Sequence, residues 1–289
     1  IYCTSGWFDI DDEKGQFIGN AQYLESDKYA SSDTINYNGK LDDIALRSRD
    51  VNGISIYISK QDTAYARHIS YSAKDQVYTL EGNGYYKSTT NEVRGDAIFY
   101  NKLTEKFKVS GRSEIKDGST HIKADTLDYD KSIQYGIALG NVIWRDTSSK
   151  TTMYADHITY HGKGNDMLVF NYHDRPLIAI AMDGDSLYMK ADTFRSFRVI
   201  KEKILYPDKK RNKSKTKADN DVLENSSDNQ MDQMPLDSTT NKIEMDTPVL
   251  ALDTIYTGVM DTMDFFVGAG MVRIFKSNMQ SVCDSIVFS

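Results

Sequence analysis

The chain has 289 residues, 39% of them hydrophobic and 27% charged, with a net charge of −7. That length suits one elongated or two compact domains with a thin core. An acidic chain without a basic stripe excludes phosphate-backbone recognition, so nucleic acid is not expected as a partner. The 19 Tyr and 11 Phe, set against only 4 Pro, favour strands over helices.

The chain opens at Ile1 without a Met and closes after the strand-like run Asp284-Ser-Ile-Val-Phe288, which reads as a piece of a longer protein. Cys3 and Cys283 stand at opposite ends. They have neither disulfide-framework nor metal-ligand spacing, and free thiols are expected.

One pattern recurs along the chain: a small residue, Asp, any residue, an apolar residue, any residue, an aromatic. It reads Ser32-Asp33-Thr34-Ile35-Asn36-Tyr37, Gly95-Asp96-Ala97-Ile98-Phe99-Tyr100, Ala124-Asp125-Thr126-Leu127-Asp128-Tyr129 and Ala155-Asp156-His157-Ile158-Thr159-Tyr160. Degenerate copies start at Ala66, Ala191 and Cys283. A second marker, Gly-Asn or Gly before an alternating run, falls at Gly19, Gly82, Gly111, Gly140 and Gly270. Asp96, Asp125 and Asp156 stand 29 and 31 residues apart, while Gly82, Gly111 and Gly140 stand 29 apart. Two independent markers in step at a period near 30 indicate a repeat architecture.

Within one unit, period-2 alternation places positions 125, 127 and 129 on one face, with Leu127 and Tyr129 inward. The Asp is expected to open the strand and fix a turn through nearby backbone N–H groups. A second strand is expected over 134–139, a bulge or bend at Gly140-Asn141, and a third strand at Val142-Ile143-Trp144. No useful helical stripe is present, and the best non-β candidate is Phe194 to Leu205. One unit cannot bury its apolar face alone, so stacked units must share an interior.

Composition breaks at about Pro207 and recovers near Thr247. A basic run, Lys209 to Lys217, precedes an acidic, Asn- and Ser-rich stretch. Residues 207–247 are expected to be a disordered insertion between repeats over 1–206 and their continuation over 248–289. The basic run reads as a solvated linker ahead of an anionic-lipid contact.

Enzyme motifs are missing: there is no P-loop, GxSxG, HExxH or strand-linked GxGxxG. His157 and His161 would lie roughly 13 Å apart along a strand, too far to share a metal. The repeated Asp residues hold the same point in each unit, which marks a structural role and not a carboxylate pair over a substrate. No enzyme activity, metal or cofactor is therefore expected.

Gly140-Asn-Val-Ile-Trp-Arg-Asp146 together with Ala155-Asp-His-Ile-Thr-Tyr160 resembles the OstA-like family, the organic-solvent-tolerance N-terminal domain of the lipopolysaccharide-transport proteins LptA and LptD. Asp183 to Arg195 and Val272 to Asp284 resemble the longer Bacteroidetes-type members. Arg67 departs from the pattern where Asp is expected, and the Gly-Asn marker is lost around Asn52-Gly53.

The resemblance implies an open β-jellyroll, folded like a taco, in the periplasm and possibly associated with the outer membrane. It implies lipopolysaccharide or a similar lipid as ligand. Further Lpt-type jellyrolls joined by edge strands, and an outer-membrane component, are the implied partners. The inward positions expected to line a lipid groove are Ile35, Tyr37, Ile69, Tyr71, Ile98, Tyr100, Leu127, Tyr129, Val142, Trp144, Ile158 and Tyr160. Two other readings stay open: the same residues closing on each other as a plain core, and a structural or adhesive β-solenoid without a ligand.

Overall fold

Alternating apolar and polar side chains yield strand after strand, each antiparallel to its neighbours, in a computed structural model that describes residues 1–205 and 255–288. The expected insertion at 207–247 lies outside these residues. β1 (Ser5–Asp9) pairs with β2 (Lys14–Leu24), and β2 with β3 (Tyr29–Asn38). Beyond β3 the layer splits. β4 (Asp43–Arg47) follows one half of β3 and β5 (Ser55–Ile58) the other. β6 (Thr63–Ala66) extends β5, and β7 (His68–Ser72) extends β4. β8 (Val77–Lys87) rejoins both.

Five further long strands continue as consecutive hairpins: β9 (Asn91–Asn101), β10 (Lys106–Asp117), β11 (Thr120–Asp130), β12 (Tyr135–Asp146) and β13 (Thr151–His161). A second split follows. β14 (Asp166–Phe170) and β15 (Leu177–Met182) each take half of β13. β16 (Asp185–Lys190) pairs with β15, and β17 (Thr193–Leu205) with β14. β18 (Ile255–Lys276) pairs with β16 and with β19 (Met279–Phe288).

The splits reveal the architecture. Each long strand runs through two half-sheets, or leaves, and turns a corner between them. The first leaf contains β4, β7 and β14; the second contains β5, β6, β15 and β16. Apolar side chains of both leaves meet in one core. Ile35, Ile69, Ile98, Leu127, Ile158 and Phe194 face it from the first leaf, and Tyr57, Tyr86, Val93, Val142, Ile178 and Met189 from the second. The fold is all-β, built from stacked antiparallel strands.

Three expectations need correction. Residues 134–139 and 142–144 are not separate strands but one strand, β12, bent at a bulge. Asp125 does not open a strand or share a face with Leu127. It lies in the middle of β11 and is exposed, while Ala124 and Leu127 are buried. Two consecutive residues, Asp125 and Thr126, therefore point outward at the corner, and the alternation restarts one position out of phase. Finally, Phe194 to Leu205 is strand; β14 supplies the ladder partner for its first residues, Thr193 to Ser196, and Phe194 is fully buried opposite Val169.

The chain divides into two compact units, Ile1–Val199 with Thr262–Ser289, and Ile200–Asp261. Within the second unit, 200–205 and 255–261 are strand.

Candidate functional site

The corners come first, because they aim everything else. At Gly140 (φ 73°) and Asn141 (φ 49°) the chain takes two successive left-handed conformations, and the pairing register skips between Leu139 and Val142. Such a bulge kinks the strand and strengthens its twist. A Cβ on Gly140 would overlap the Asp125 carboxylate, and Asn141 Nδ2 donates to Asp125 Oδ2 at 3.0 Å. The two markers that keep step in the sequence thus touch in space: the Asp of one strand seats against the Gly of the next. The same contact joins Asp96 to Gly111 and Asp192 to Gly270.

Where strands split, the Asp holds a loop amide instead, which explains the lost glycine marker. Asp33 accepts from Arg49 N at 2.8 Å and Ser48 Oγ at 2.9 Å, and the Arg49 amide foremost holds its carboxyl below the usual range. Asp156 accepts from Tyr172 N at 3.1 Å. At the degenerate copy, Arg67 packs its Cβ against Gly82 in the place of the Asp.

Past each corner the predicted groove positions face the interior. Ile35, Ile69, Ile98, Tyr100, Leu127, Val142 and Ile158 are buried. Tyr71, Tyr129, Trp144 and Tyr160 are partly buried and pack on the same core, and Tyr37 is partly buried with its ring 5.3 Å from Tyr23. Their surroundings fall into two contrasting sections.

The first section, from β5 to β10, is filled. Tyr57, Tyr71, Tyr78, Tyr86, Tyr100 and Phe107 form a continuous run of ring contacts with centroid separations between 4.0 and 5.9 Å. Against this run sits Asp62, only 3% exposed. Its carboxylate accepts from Tyr86 Oη at 2.7 Å, Tyr78 Oη at 3.1 Å and Lys102 Nζ at 2.6 Å. A carboxylate can be buried when it is paired and hydrogen-bonded, as here. Burial foremost, with the Asp62 charge beside them, pushes the Tyr78 and Tyr86 phenols far above their ordinary range, so both remain donors. Asp62 lies in the turn between β5 and β6 of the second leaf, and Lys102 in the turn between β9 and β10, at the first leaf's end of those strands. The pair therefore spans the mouth between the leaves.

None of Asp62, Lys102, Tyr57, Tyr78, Tyr86 or Phe107 was singled out by the repeat pattern. Lys60-Gln61-Asp62 reads as an ordinary polar turn. The available signal was the density of tyrosines between positions 57 and 100.

The second section, from β10 to β13, holds a cavity of about 180 Å³. Phe107, Ile115, Ile122, Leu127, Tyr129, Ile137, Ala138, Trp144, Ile158 and Tyr160 line it, and Asp117, Thr120, Asp128 and Lys131 rim it. Five predicted positions meet here: Leu127, Tyr129, Trp144, Ile158 and Tyr160. The lining is apolar except for the buried Asn91 of β9, and the other polar groups stand at the edge, an arrangement suited to binding hydrocarbon by exclusion of water. Among the described residues no cluster of three or more His, Cys, Asp or Glu has metal-binding geometry. His157 stacks on Phe170 at 4.5 Å, and His161 packs edge-on against Tyr135 at 4.5 Å.

Residues 50–106 match the family model described as LptA/(LptD N-terminal domain) LPS transport protein. No curated protein matches the chain. Among solved structures, one similar chain is LptH, the LptA homologous periplasmic component of the conserved lipopolysaccharide transport device from Pseudomonas aeruginosa. It is 13% identical, the match covers 38% of this chain and 80% of that one, and the TM-score is 0.31. Residues 50–106 are thus similar to the LptA/LptD family, and they fall within the filled section up to the start of β10.

Proposed function

We propose that this LptA/LptD-like chain is a non-enzymatic scaffold for lipopolysaccharide transport in the periplasm, holding acyl chains between its two leaves. The apolar cavity bounded by Leu127, Trp144, Ile158 and Tyr160 carries this reading, since it is lined by the inward positions of successive repeats. Burying ten methylenes of one acyl chain is worth about 8 kcal/mol, so a lipid is held without a polar anchor. Within the β10–β13 cavity, walled by equivalent positions of successive repeats, small displacements are nearly isoenergetic. Direction must then come from an energy source outside this chain.

Partners follow from the edges. β1 pairs only with β2 among the described residues and exposes Trp7 and Phe8. An unpaired strand edge is a liability unless a partner strand adds to it. We assign β1 as the joining edge for another Lpt-type jellyroll, and Thr262–Ser289, which groups with Ile1–Val199, as the continuation of this one.

The second reading, a ligand-free structural scaffold, is favoured by the tyrosine-filled first section. Photocrosslinking separates the two. A p-azidophenylalanine replacing Tyr160, on the cavity wall, is expected to give adducts with lipopolysaccharide, and the same group replacing the exposed Tyr154 of β13 is not. Equal yields at both positions, or none at either, would favour the scaffold.

A further inference from the structure

The two sections of the interior differ in a way that the transport reading does not itself require. Apolar side chains face inward in both, yet only the second has room. In the first, six aromatic rings occupy the space between the leaves, and the mouth above them is crossed by the Asp62–Lys102 ion pair. A second, more exposed pair, Lys28–Asp42 at 2.8 Å, joins the turn between β2 and β3 to the turn between β3 and β4, again from leaf to leaf. Over the cavity the facing strand ends and turns carry Asp117 and Thr120 on one side and Tyr129 and Lys131 on the other. Lys131 turns to Glu105 at 3.2 Å, its neighbour on the same leaf's end, and not across the mouth.

The chemistry of the crossing is specific. Asp62 is a single buried acceptor shared by two phenols and one ammonium. The phenols reach it from β8, where Tyr78 lies in the first leaf and Tyr86 in the second. One carboxylate therefore ties both leaves and the Lys102 turn together. Spreading the leaves here strips Asp62 of its partners, and an unpaired buried carboxylate is costly. Spreading them over the cavity breaks no comparable contact. The cost of admitting a lipid is thus unequal along the interior.

The geometry points to a gate: resting on the lipid-transport reading, the Asp62–Tyr78–Tyr86–Lys102 cluster is a latch that confines a bound acyl chain to the β10–β13 cavity and must release before the chain enters the β5–β9 section. The ligand it acts on is a long-chain lipid, because only a group longer than the cavity extends past its Phe107 wall toward the β5–β9 section. The Tyr100 ring, stacked on Phe107 at 4.0 Å and 7°, forms the wall at that boundary.

The test uses the full chain with p-azidophenylalanine at Tyr160, in the cavity, or at Tyr57, in the filled section, and lipopolysaccharide as the probe. Each is crosslinked with the latch intact, with Lys102→Ala, and with Asp62→Asn, which keeps the side-chain volume but removes the ion pair. With the latch intact, adducts are expected at Tyr160 and not at Tyr57. In either latch variant the Tyr57 adduct is expected to rise at least about tenfold. The Tyr160 adduct, retained in the same variant, reports an intact cavity. Should one variant fail to fold and lose it, the other decides. Adducts at Tyr57 as strong as at Tyr160 with the latch intact overturn the gate and leave the transport reading standing. A Tyr57 yield unmoved by opening the latch also overturns the gate. No adduct at either position overturns both.

Discussion

Asp125 and Gly140 show how a marker earns its place in the repeat. The carboxylate fills the space that a Cβ at 140 would need, and the φ of 73° is one that glycine adopts freely. Gly140→Ala is therefore expected to cost about 2–3 kcal/mol, combining left-handed strain with the overlap. Paired with Asp125→Gly, the same substitution is expected to cost less than the sum of the two single changes, because the overlap disappears. A double-mutant cycle by urea denaturation checks this; strict additivity would mean that the contact is incidental. The role of these residues was legible in the sequence as far as "structural and repeated". Their mutual contact was not, because the aligned Asp125 and Gly140 belong to neighbouring strands whose register only pairing determines. Asp62 was illegible for another reason. A carboxylate in a polar turn looks solvated until the opposite leaf is in place.

At the scale of the strand, the corner is what keeps inward residues inward. Alternation alone places Tyr154 and Tyr160, six apart on β13, on the same face. The extra step at Asp156 puts Tyr154 outside and Tyr160 against the cavity. On β12 the Gly140-Asn141 bulge supplies one residue more than either neighbouring strand carries at the corner, so that Ala138 and Val142, four apart, both stay buried. Deleting Asn141 alone removes half of the bulge. It should shift the second-leaf part of β12 by one residue, turning Trp144 outward. The expected result is a red-shifted tryptophan emission measured in the Trp7→Phe background, where Trp144 is the sole tryptophan. An unchanged emission would show that the corner does not set the register. Strand identity itself was readable from composition and period. The bulge at Gly140-Asn141 was readable as well, but the continuity of the strand through it was not, since a bulge and a strand break leave the same Gly-Asn signature. Phe194 to Leu205 lacks clean alternation, and its start, through Ser196, is set by the ladder with β14.

For the whole molecule, the repeat made an interior shared by both leaves, as stacking of incomplete units requires. It did not make that interior uniform. The family match at 50–106 falls on the tyrosine-filled section, whereas the room for a ligand lies at β10–β13. A cavity of about 180 Å³ is close to the roughly 150 Å³ of an apolar void that admits benzene. On the proposed function it has room for a segment of an acyl chain, and a whole lipid would require the leaves to part at the mouth. Trp144 on the cavity wall and the exposed Trp7 on β1 are the chain's two tryptophans, so the claim reduces to one optical experiment. In the Trp7→Phe chain, a lipid carrying a doxyl quencher midway along its acyl chain is added and the Trp144 emission recorded. Strong, saturable quenching is expected, and none from the same lipid labelled on its headgroup. Binding of the chain-labelled lipid with Trp144 emission unchanged would contradict it.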